Sequence, residues 1–497
     1  MSALPRPVAR GRRGAAATGH PLATAAALRA YDAGGTAFDA ALAAAYVLFV
    51  VMPDACGVGG DALITIRAGS GELVSFNGSG ASPRGFVGTV PDDGARTTAV
   101  PGAVAALAAA HERYGVLDVG FLLEPAVRLA REGFAVHESL LASLARQRAR
   151  LERRADGFEL LRIDPAAGRL LRQDALAGVI EAIGRDGPAV FYAGPVAEAV
   201  QAAAREDGAE LCAPDLASHQ TVVTDPLAIG FRGATVYGQP PVAQAVLGLM
   251  TLRVLDGLED IDPVTRHHVA IEALNAAFTH RDEIADPDAG AALLDVDLAV
   301  DRERARASGG PTRQAHTTAV ACADGTGTVV TMVVSVFDEF GCSRLVTPYG
   351  FLLNNRMMCF SPDPASPNAV GPAKRPVHTL SPMLLDNVDI VLALSTPGAD
   401  GQVQTLTQLL ERMLVDGVSP TAALDAPRWR SADGGLTIEE GFSPRGANAL
   451  ARRGHALSWA PRGGDAFGAA VLAGFEPHTG SVFAAADLRR DAWAGAC

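Results

Sequence analysis

Alanine and leucine recur at three- and four-residue spacing from Pro21 to Met52, which predicts two helices separated at Gly34-Gly35. The most apolar part, Ala40–Met52, is apolar on every side. It is shorter than the roughly 20 residues a bilayer span needs, so it reads as a buried core helix. Strand-like runs follow at about 62–68 and 73–77, and residues 101–205 read as mostly helical, punctuated at Gly133, Gly157 and Pro165. Gln220–Pro241 reads as strands with turns, and helices resume at about 242–258 and 263–286. Residues 287–316 are rich in Asp, Ala, Arg and Gly and read as a flexible linker, least structured at Ser308–Gln314. Beyond Thr317 come alternating strands, a helix at about 402–416, and closing strands within Phe467–Gly474 and Gly480–Leu488. No internal repeat is evident.

One hairpin in this pattern carries chemistry. Thr317–Ala323 and Thr328–Val336 are short runs of small or β-branched residues, joined by the turn Asp324-Gly325-Thr326-Gly327. A threonine that opens a central strand is where an N-terminal-nucleophile (Ntn) hydrolase keeps its hydroxyl. Cleavage before it frees an α-amino group, of reference pKa about 7.7–8.0, that can act as base for the same residue's hydroxyl. Most threonine pairs at strand starts are ordinary β-formers, so the local signal does not decide.

The rest of the chain does more. "HPLATAAALRAYDAGGTAFDAALAAAYVLFVVMPDACGVGG" (His20–Gly60), Val100–Val136, "GFLLNNRMMCFS" (Gly350–Ser361), "GPAKRPVHTLSPMLL" (Gly371–Leu385) and "STPGADGQ" (Ser395–Gln402) resemble, in order and spacing, the γ-glutamyltransferase family. The resemblance implies a four-layer αββα Ntn-hydrolase sandwich, cut into a large subunit, 1–316, and a small subunit, 317–497, that together form one domain. Counting back from Phe340-Gly341 puts the family's first catalytic position at Thr317 without a gap, with Gly327 eleventh and Val330 fourteenth. The rival placement aligns Gln314–His316 with the family's "TAH" and needs an insertion. The cleavage site is thus expected between His316 and Thr317. Ser335 falls where the family keeps a supporting hydroxyl, while Ala319 and Ala321 replace the family's His and Ser/Thr. The oxyanion-hole pair is expected at Gly398 and Ala399, because alanine keeps its N–H. Gly57-Val58-Gly59-Gly60 reads as a tight turn, near the site in relatives.

The resemblance also marks departures. The γ-glutamyl pocket of the family holds a carboxylate and an ammonium through charged partners. Here the carboxylate Arg falls at about Ser79, Phe337 replaces an Asn, Arg356 replaces a Glu/Gln, Cys359 replaces an Asp, and His378 and Thr379 replace a serine pair. The implied pocket is rebuilt for a different acid, with Arg356 as a carboxylate fork, His378 assisting and Phe337 as an apolar wall. The alternatives are drift in an unused pocket, or an Arg356 that simply faces solvent.

Composition narrows the class. The formal charge is −13 and no basic stripe is present, which argues against nucleic acid. Lys374 is the only lysine among 42 basic residues, as a GC-rich coding bias would give. Six cysteines without CxxC spacing read as thiols in a reducing compartment. No cofactor or metal is expected. His267 and His268 are adjacent on a helix and so face different ways, which reads as two solvated or capping histidines. The N-terminal stretch has basic residues but no apolar run of secretory type, so a cytoplasmic protein without membrane partners is expected.

The functional expectation is a self-processing hydrolase of this superfamily without a γ-glutamyl pocket, acting on a carboxylate-bearing small molecule. It resembles the subset that cleaves a carbon–carbon bond in alkylproline antibiotic precursors of lincosamide, pyrrolobenzodiazepine and hormaomycin type. The alternatives are an amidase or acylase for a glutaryl- or peptide-like amide, and a non-catalytic, unprocessed homologue.

Overall fold

The computed structural model describes residues 8–163, 169–258, 262–286, 289–306 and 316–497. Its core is two seven-stranded sheets stacked face to face. One runs, in spatial order, Trp493–Ala496, Gly14–Thr18, His316–Asp324, Val329–Phe337, Asp61–Arg67, Leu73–Gly78 and Val222–Thr224. The other runs Ala9–Gly11, Ser481–Ala486, Val471–Glu476, Val391–Ser395, Met383–Asp386, Ala234–Gly238 and Leu227–Phe231. All the pairings within these two sheets are antiparallel.

Alternation along the hairpin explains the layering. Val320 and Cys322 point into a cluster with the helices Pro21–Asp32 and Ala37–Val51. Ala319, Ala321 and Ala323 point the other way, against Ala393, Ala473 and Ala484 of the second sheet. The small side chains let the sheets approach closely, and strand alternation assigns each residue to one face. Helices Ala245–Asp256, Pro263–Phe278 and Gly401–Leu414 cover the far face of the second sheet. The result is the expected αββα sandwich.

The helix Ala37–Val51 is buried along its whole length, as its uniform apolarity requires, and Thr36 with Asp39 closes a capping box at its start. Among the described residues no helix is long and apolar enough to cross a membrane. All six cysteines are unpaired.

Three features depart from the sequence reading. The strands Ala9–Gly11, Gly14–Thr18 and Trp493–Ala496 were not expected, because alanine and glycine carry little strand preference and only pairing makes strands of them. Residues 289–306 are not a loose linker: Leu294, Val296, Leu298 and Val300 pack against the helical layer, an alternation hidden among charged residues. The rest of that stretch, including Ser308–Gln314, lies outside the described residues. Finally, His268 is neither solvated nor a cap. It is buried, with Nδ1 2.7 Å from His455 Nε2 and Nε2 3.0 Å from the Asp301 carbonyl oxygen.

Candidate active site

Thr317 lies in the hairpin strand His316–Asp324, one residue from its start and at an irregularity in the ladder. His316 pairs with Phe337 and Thr318 with Val334, so the strand bulges at Thr317. Phe337 takes up the distortion with a left-handed φ of 79°. The bulge turns the Thr317 hydroxyl toward Ser335: Thr317 Oγ1 donates to Ser335 Oγ at 3.2 Å. Ser335 Oγ in turn donates to the His316 carbonyl oxygen at 2.8 Å and accepts from the Phe337 N–H at 2.8 Å. One hydroxyl therefore touches both the expected nucleophile and the carbonyl of the expected scissile bond. Thr317 is buried, with 1% of its surface exposed.

The support behind Ser335 is glycine. Gly60 lies so close that a Cβ there would sit 2.4 Å from the Ser335 carbonyl oxygen. The Gly57–Gly60 turn thus serves the site by close approach of backbone to backbone.

His316 is wedged between two carboxylates, with Nδ1 3.4 Å from Asp54 Oδ2 and Nε2 3.2 Å from Glu339 Oε1. Burial raises the Asp54 carboxyl's affinity for a proton, but the bond to His316 outweighs it and holds the carboxyl below its ordinary range. Neither acid was singled out from the sequence. Asp54 ends a helix at a Pro-Asp turn and Glu339 follows an apolar strand, positions where an acid is usually solvated.

Gly398 and Ala399 follow the strand Val391–Ser395, which is tied to the hairpin across the sheets by Ser395 Oγ donating to Val320 O at 3.2 Å and Thr331 Oγ1 donating to Leu394 O at 3.0 Å. Gly398 has φ 128° and Ala399 has φ 49°, so the alanine is held in the left-handed region. The Ala399 carbonyl accepts from Gln244 Nε2 at 3.3 Å, and the same amide reaches the Thr379 carbonyl at 3.5 Å. Among the described residues, neither the Gly398 nor the Ala399 N–H donates a backbone hydrogen bond, as an oxyanion hole requires.

The residues expected to form a rebuilt substrate pocket come together, but as a buried cluster. Arg356 is fully buried and its Nε donates to Asp61 Oδ2 at 2.8 Å. Its guanidinium lies 4.7 Å from the centre of the Phe337 ring, and Nη1 lies 3.8 Å from Cys359 Sγ. His378 Nδ1 accepts from the Leu380 N–H at 3.2 Å, which leaves Nε2–H to donate to Asp61 Oδ2, also at 3.2 Å. Burial and then the Arg356 charge push the His378 pKa down to about 4, against the pull of Asp61. The carboxylate partner of Arg356 is therefore Asp61, an internal residue that sequence reasoning missed. Its signal was an aspartate opening the apolar strand "DALITIR". Arg356 Nη2 has no hydrogen-bond partner among the described residues. Ser79 stands apart from the Arg356 guanidinium's partners: its hydroxyl donates to Asn77 Oδ1 at 2.6 Å. Thr379 is buried, its hydroxyl unpaired among the described residues.

Open space lies elsewhere. A cleft of about 410 Å³ is lined by His316, Gly398, Arg146, Arg150, Arg430 and Arg490. A second cavity of about 700 Å³ is walled by Phe337, Met357, Met358 and Phe360. Asp338 lines both. Neither cavity is lined by Arg356, Cys359, His378 or Thr379.

As for metal donors, His268, Glu272 and His455 lie within 4.8 Å of one another. Their bonds to the Asp301 carbonyl and the Arg306 N–H fasten the 301–306 segment.

The sequence profile described as Gamma-glutamyltranspeptidase matches residues 23–497. The glutathione hydrolase-like YwrD proenzyme of Bacillus subtilis (strain 168) is 30% identical over 471 residues, covering 88% of this chain and 89% of that protein. The oxamate amidohydrolase proenzyme of Klebsiella pneumoniae subsp. pneumoniae is 30% identical over 483 residues, covering 89% and 90%. Among solved structures, cephalosporin acylase from Bacillus halodurans matches with a TM-score of 0.90 and 29% identity, over 100% of this chain and 99% of that one. The LmbA2991HD structure shares the fold, with a TM-score of 0.86 at 24% identity over 99% and 100% of the two chains. The chain belongs to the gamma-glutamyltranspeptidase family and has the fold of its Ntn hydrolases.

Proposed function

We propose that the chain cuts itself between His316 and Thr317 and then uses Thr317 to hydrolyse an acyl bond in a carboxylate-bearing small molecule that is not a γ-glutamyl compound. The observation that carries this reading is the pair of bonds at Ser335, to Thr317 Oγ1 and to the His316 carbonyl. In processing, Thr317 Oγ attacks the His316 carbonyl carbon and the peptide C–N bond breaks, leaving an ester. Water then hydrolyses the ester, giving a His316 carboxylate and a free Thr317 amino group. The Ser335 hydroxyl polarises the carbonyl and is placed to pass on the threonine proton. Because Thr317 is buried in the uncut chain, access to its hydroxyl depends on this cleavage.

In turnover the Thr317 amine takes the hydroxyl proton, Oγ attacks the substrate carbonyl, and the Gly398 and Ala399 N–H groups receive the oxyanion. The leaving group departs with a proton, and water releases the acid from the acyl-enzyme. Amide hydrolysis is supported by the names of the oxamate amidohydrolase and cephalosporin acylase relatives. The carbon–carbon reading, on alkylproline-type intermediates, rests on the loss of the glutamate clamp around Arg356 and Cys359. We place the protein in the cytoplasm, which fractionation of the native cells tests.

A product assay separates the readings: an amide substrate releases an amine, whereas carbon–carbon cleavage releases a dicarboxylate and no amine. A γ-glutamyl anilide should be turned over negligibly, because the space of the clamp is taken by the Asp61–Arg356–His378 cluster. Efficient turnover of that anilide would overturn the proposal.

A further inference from the structure

We propose that His268, Glu272 and His455 form a binding site for a divalent cation of the Zn²⁺ type. None of the three lines the cleft beside His316 or the Phe337 cavity, and the proposed reaction does not use them.

Placement is the first argument. His268 and Glu272 lie four residues apart on the helix Pro263–Phe278, a spacing that puts both on one face. His455 follows the helix Pro444–Arg452 and reaches His268 from 187 positions along the chain, so the sequence carried no such signal. One donor atom from each residue lies within 4.8 Å of the others. Two imidazoles and one carboxylate are a donor set for zinc, whereas calcium and magnesium favour oxygen ligands.

The second argument is how each donor is held. His268 Nε2 lies 3.0 Å from the Asp301 carbonyl oxygen, which can only accept. Nε2 is therefore the protonated nitrogen, and Nδ1 of the neutral ring carries the lone pair. A carbonyl behind the imidazole is the usual support of a metal-binding histidine. Glu272 Oε2 accepts from the Arg306 N–H at 2.9 Å. Its Oε1 is buried and has no hydrogen-bond partner among the described residues. Glu272 as a whole is 3% exposed, so this oxygen has lost water without a replacement. The neighbouring cation, Arg453, directs Nη2 to Thr265 Oγ1 at 2.7 Å rather than to Glu272. A metal ion supplies what Oε1 lacks.

His268 Nδ1 and His455 Nε2 stand 2.7 Å apart, sharing the proton of His455. Tetrahedral Zn–N bonds of about 2.0–2.1 Å set two nitrogens about 3.3 Å apart, so the rings need to part by only about 0.6 Å. The His455 proton then moves to Nδ1 of the same, partly exposed ring, and Nε2 takes the metal. Glu272 also lines a cavity of about 350 Å³ with Val296, Leu298 and Arg306. That cavity gives the ion a way in and a water the fourth position.

The ion ties three pieces together: the helix Pro263–Phe278, the 301–306 segment through Asp301 and Arg306, and the turn at His455. Cleavage between His316 and Thr317 puts His268 and Glu272 in one chain and His455 in the other. The role as a clamp between chains rests on the cleavage proposed above; the binding of zinc does not.

The test is calorimetric titration of protein without a histidine tag, stripped with a chelator, using zinc chloride and separately magnesium chloride. Zinc should bind at a single equivalent and raise the melting temperature, and magnesium should do neither. Glu272→Gln keeps an acceptor for the Arg306 N–H, and His455→Ala removes a partly exposed ring. Each should weaken zinc at least a hundredfold, because loss of a supporting partner alone costs about ten- to a hundredfold. Both are checked for the wild-type melting curve without metal, and His455→Asn stands in if the alanine variant does not fold. No zinc binding by the wild type, magnesium binding as tightly as zinc, or variants that bind zinc normally would each overturn the assignment. Zinc binding by a wild-type chain that never divides sustains the site and refutes the cleavage reading. A chain that divides but binds no zinc does the reverse.

Discussion

Ser335 Oγ stands 3.2 Å from Thr317 Oγ1 and accepts its hydrogen bond, while donating its own proton to the carbonyl just before Thr317. The two residues sit 18 positions apart, on the two strands of one hairpin, and meet because the ladder bulges between His316 and Thr318. In the proposed self-cleavage this carbonyl becomes an oxyanion, and a donor already aimed at it contributes to the rate of attack. Ser335→Ala should therefore slow self-cleavage by about 10²- to 10³-fold, the range for loss of one oxyanion-hole donor. Ser335→Thr keeps the hydroxyl and should process at a measurable rate. Time courses of chain separation on denaturing gels give both values; an alanine variant that matures at the wild-type rate contradicts the role.

Asp61 and Arg356 form a fully buried ion pair, and the prediction concerns stability before activity. Asp61→Asn leaves a buried guanidinium without its anion and should cost about 3–5 kcal/mol. Replacing both, as Asp61→Leu with Arg356→Met, should recover most of that loss. Urea denaturation midpoints of the three proteins check it. A single substitution that costs nothing would mean that the charge finds another partner.

His378 adds a pH dependence. Its folded pKa, about 4, lies below the ordinary 6.5, so between these values the unfolded chain binds a proton that the folded chain refuses. Its contribution is present above pH 6.5 and is lost as pH falls toward 4. His20, His219 and His455, each also pushed down to about 4 chiefly by burial, act in the same direction. Asp61 continues the trend at lower pH: burial raises its pKa, but Arg356 and His378 together hold it below the ordinary value. Melting temperature should fall steadily from pH 6.5 to 4, and His378→Gln should flatten part of that slope. A flat profile over this interval contradicts the burial of neutral imidazoles.

Ala399 is held at a φ of 49°, where a Cβ costs about 1 kcal/mol. Ala399→Gly relieves this but loosens the unfolded chain by a similar amount, so stability should move by less than about 1 kcal/mol. The N–H remains, and turnover should remain with it. Ala399→Val places a branched side chain where it is least tolerated and should lower kcat tenfold or more. Calorimetry with the substrate found by the product assay measures both; equal kcat in the valine variant would remove this residue from the oxyanion hole.

The hairpin was legible because its residues are β-branched or small, its turn is Asp-Gly-Thr-Gly, and its length fits a central strand. Ser335 followed from the same count. The Arg356 cluster was legible only in part. A sequence shows that Glu and Asp have given way to Arg and Cys in the family's pattern. It does not show that Asp61, 295 positions away, neutralises the new charge. The same limit applied to His316, whose carboxylate neighbours come from a turn at Asp54 and a loop at Glu339. The arginine cleft was invisible because its four cations come from a surface-like helix, an edge strand and a C-terminal loop, where arginine is ordinarily solvated.

The central claim is that Thr317 is both the cleavage point and the nucleophile. Intact-mass spectrometry of the purified protein, with N-terminal sequencing of the smaller chain, tests it most directly. The wild type should give two chains, of 316 and 181 residues, the smaller beginning Thr-Thr-Ala-Val, and Thr317→Ala should give one chain of 497 residues. A smaller chain that begins elsewhere, or a Thr317→Ala protein that still divides, would contradict the account.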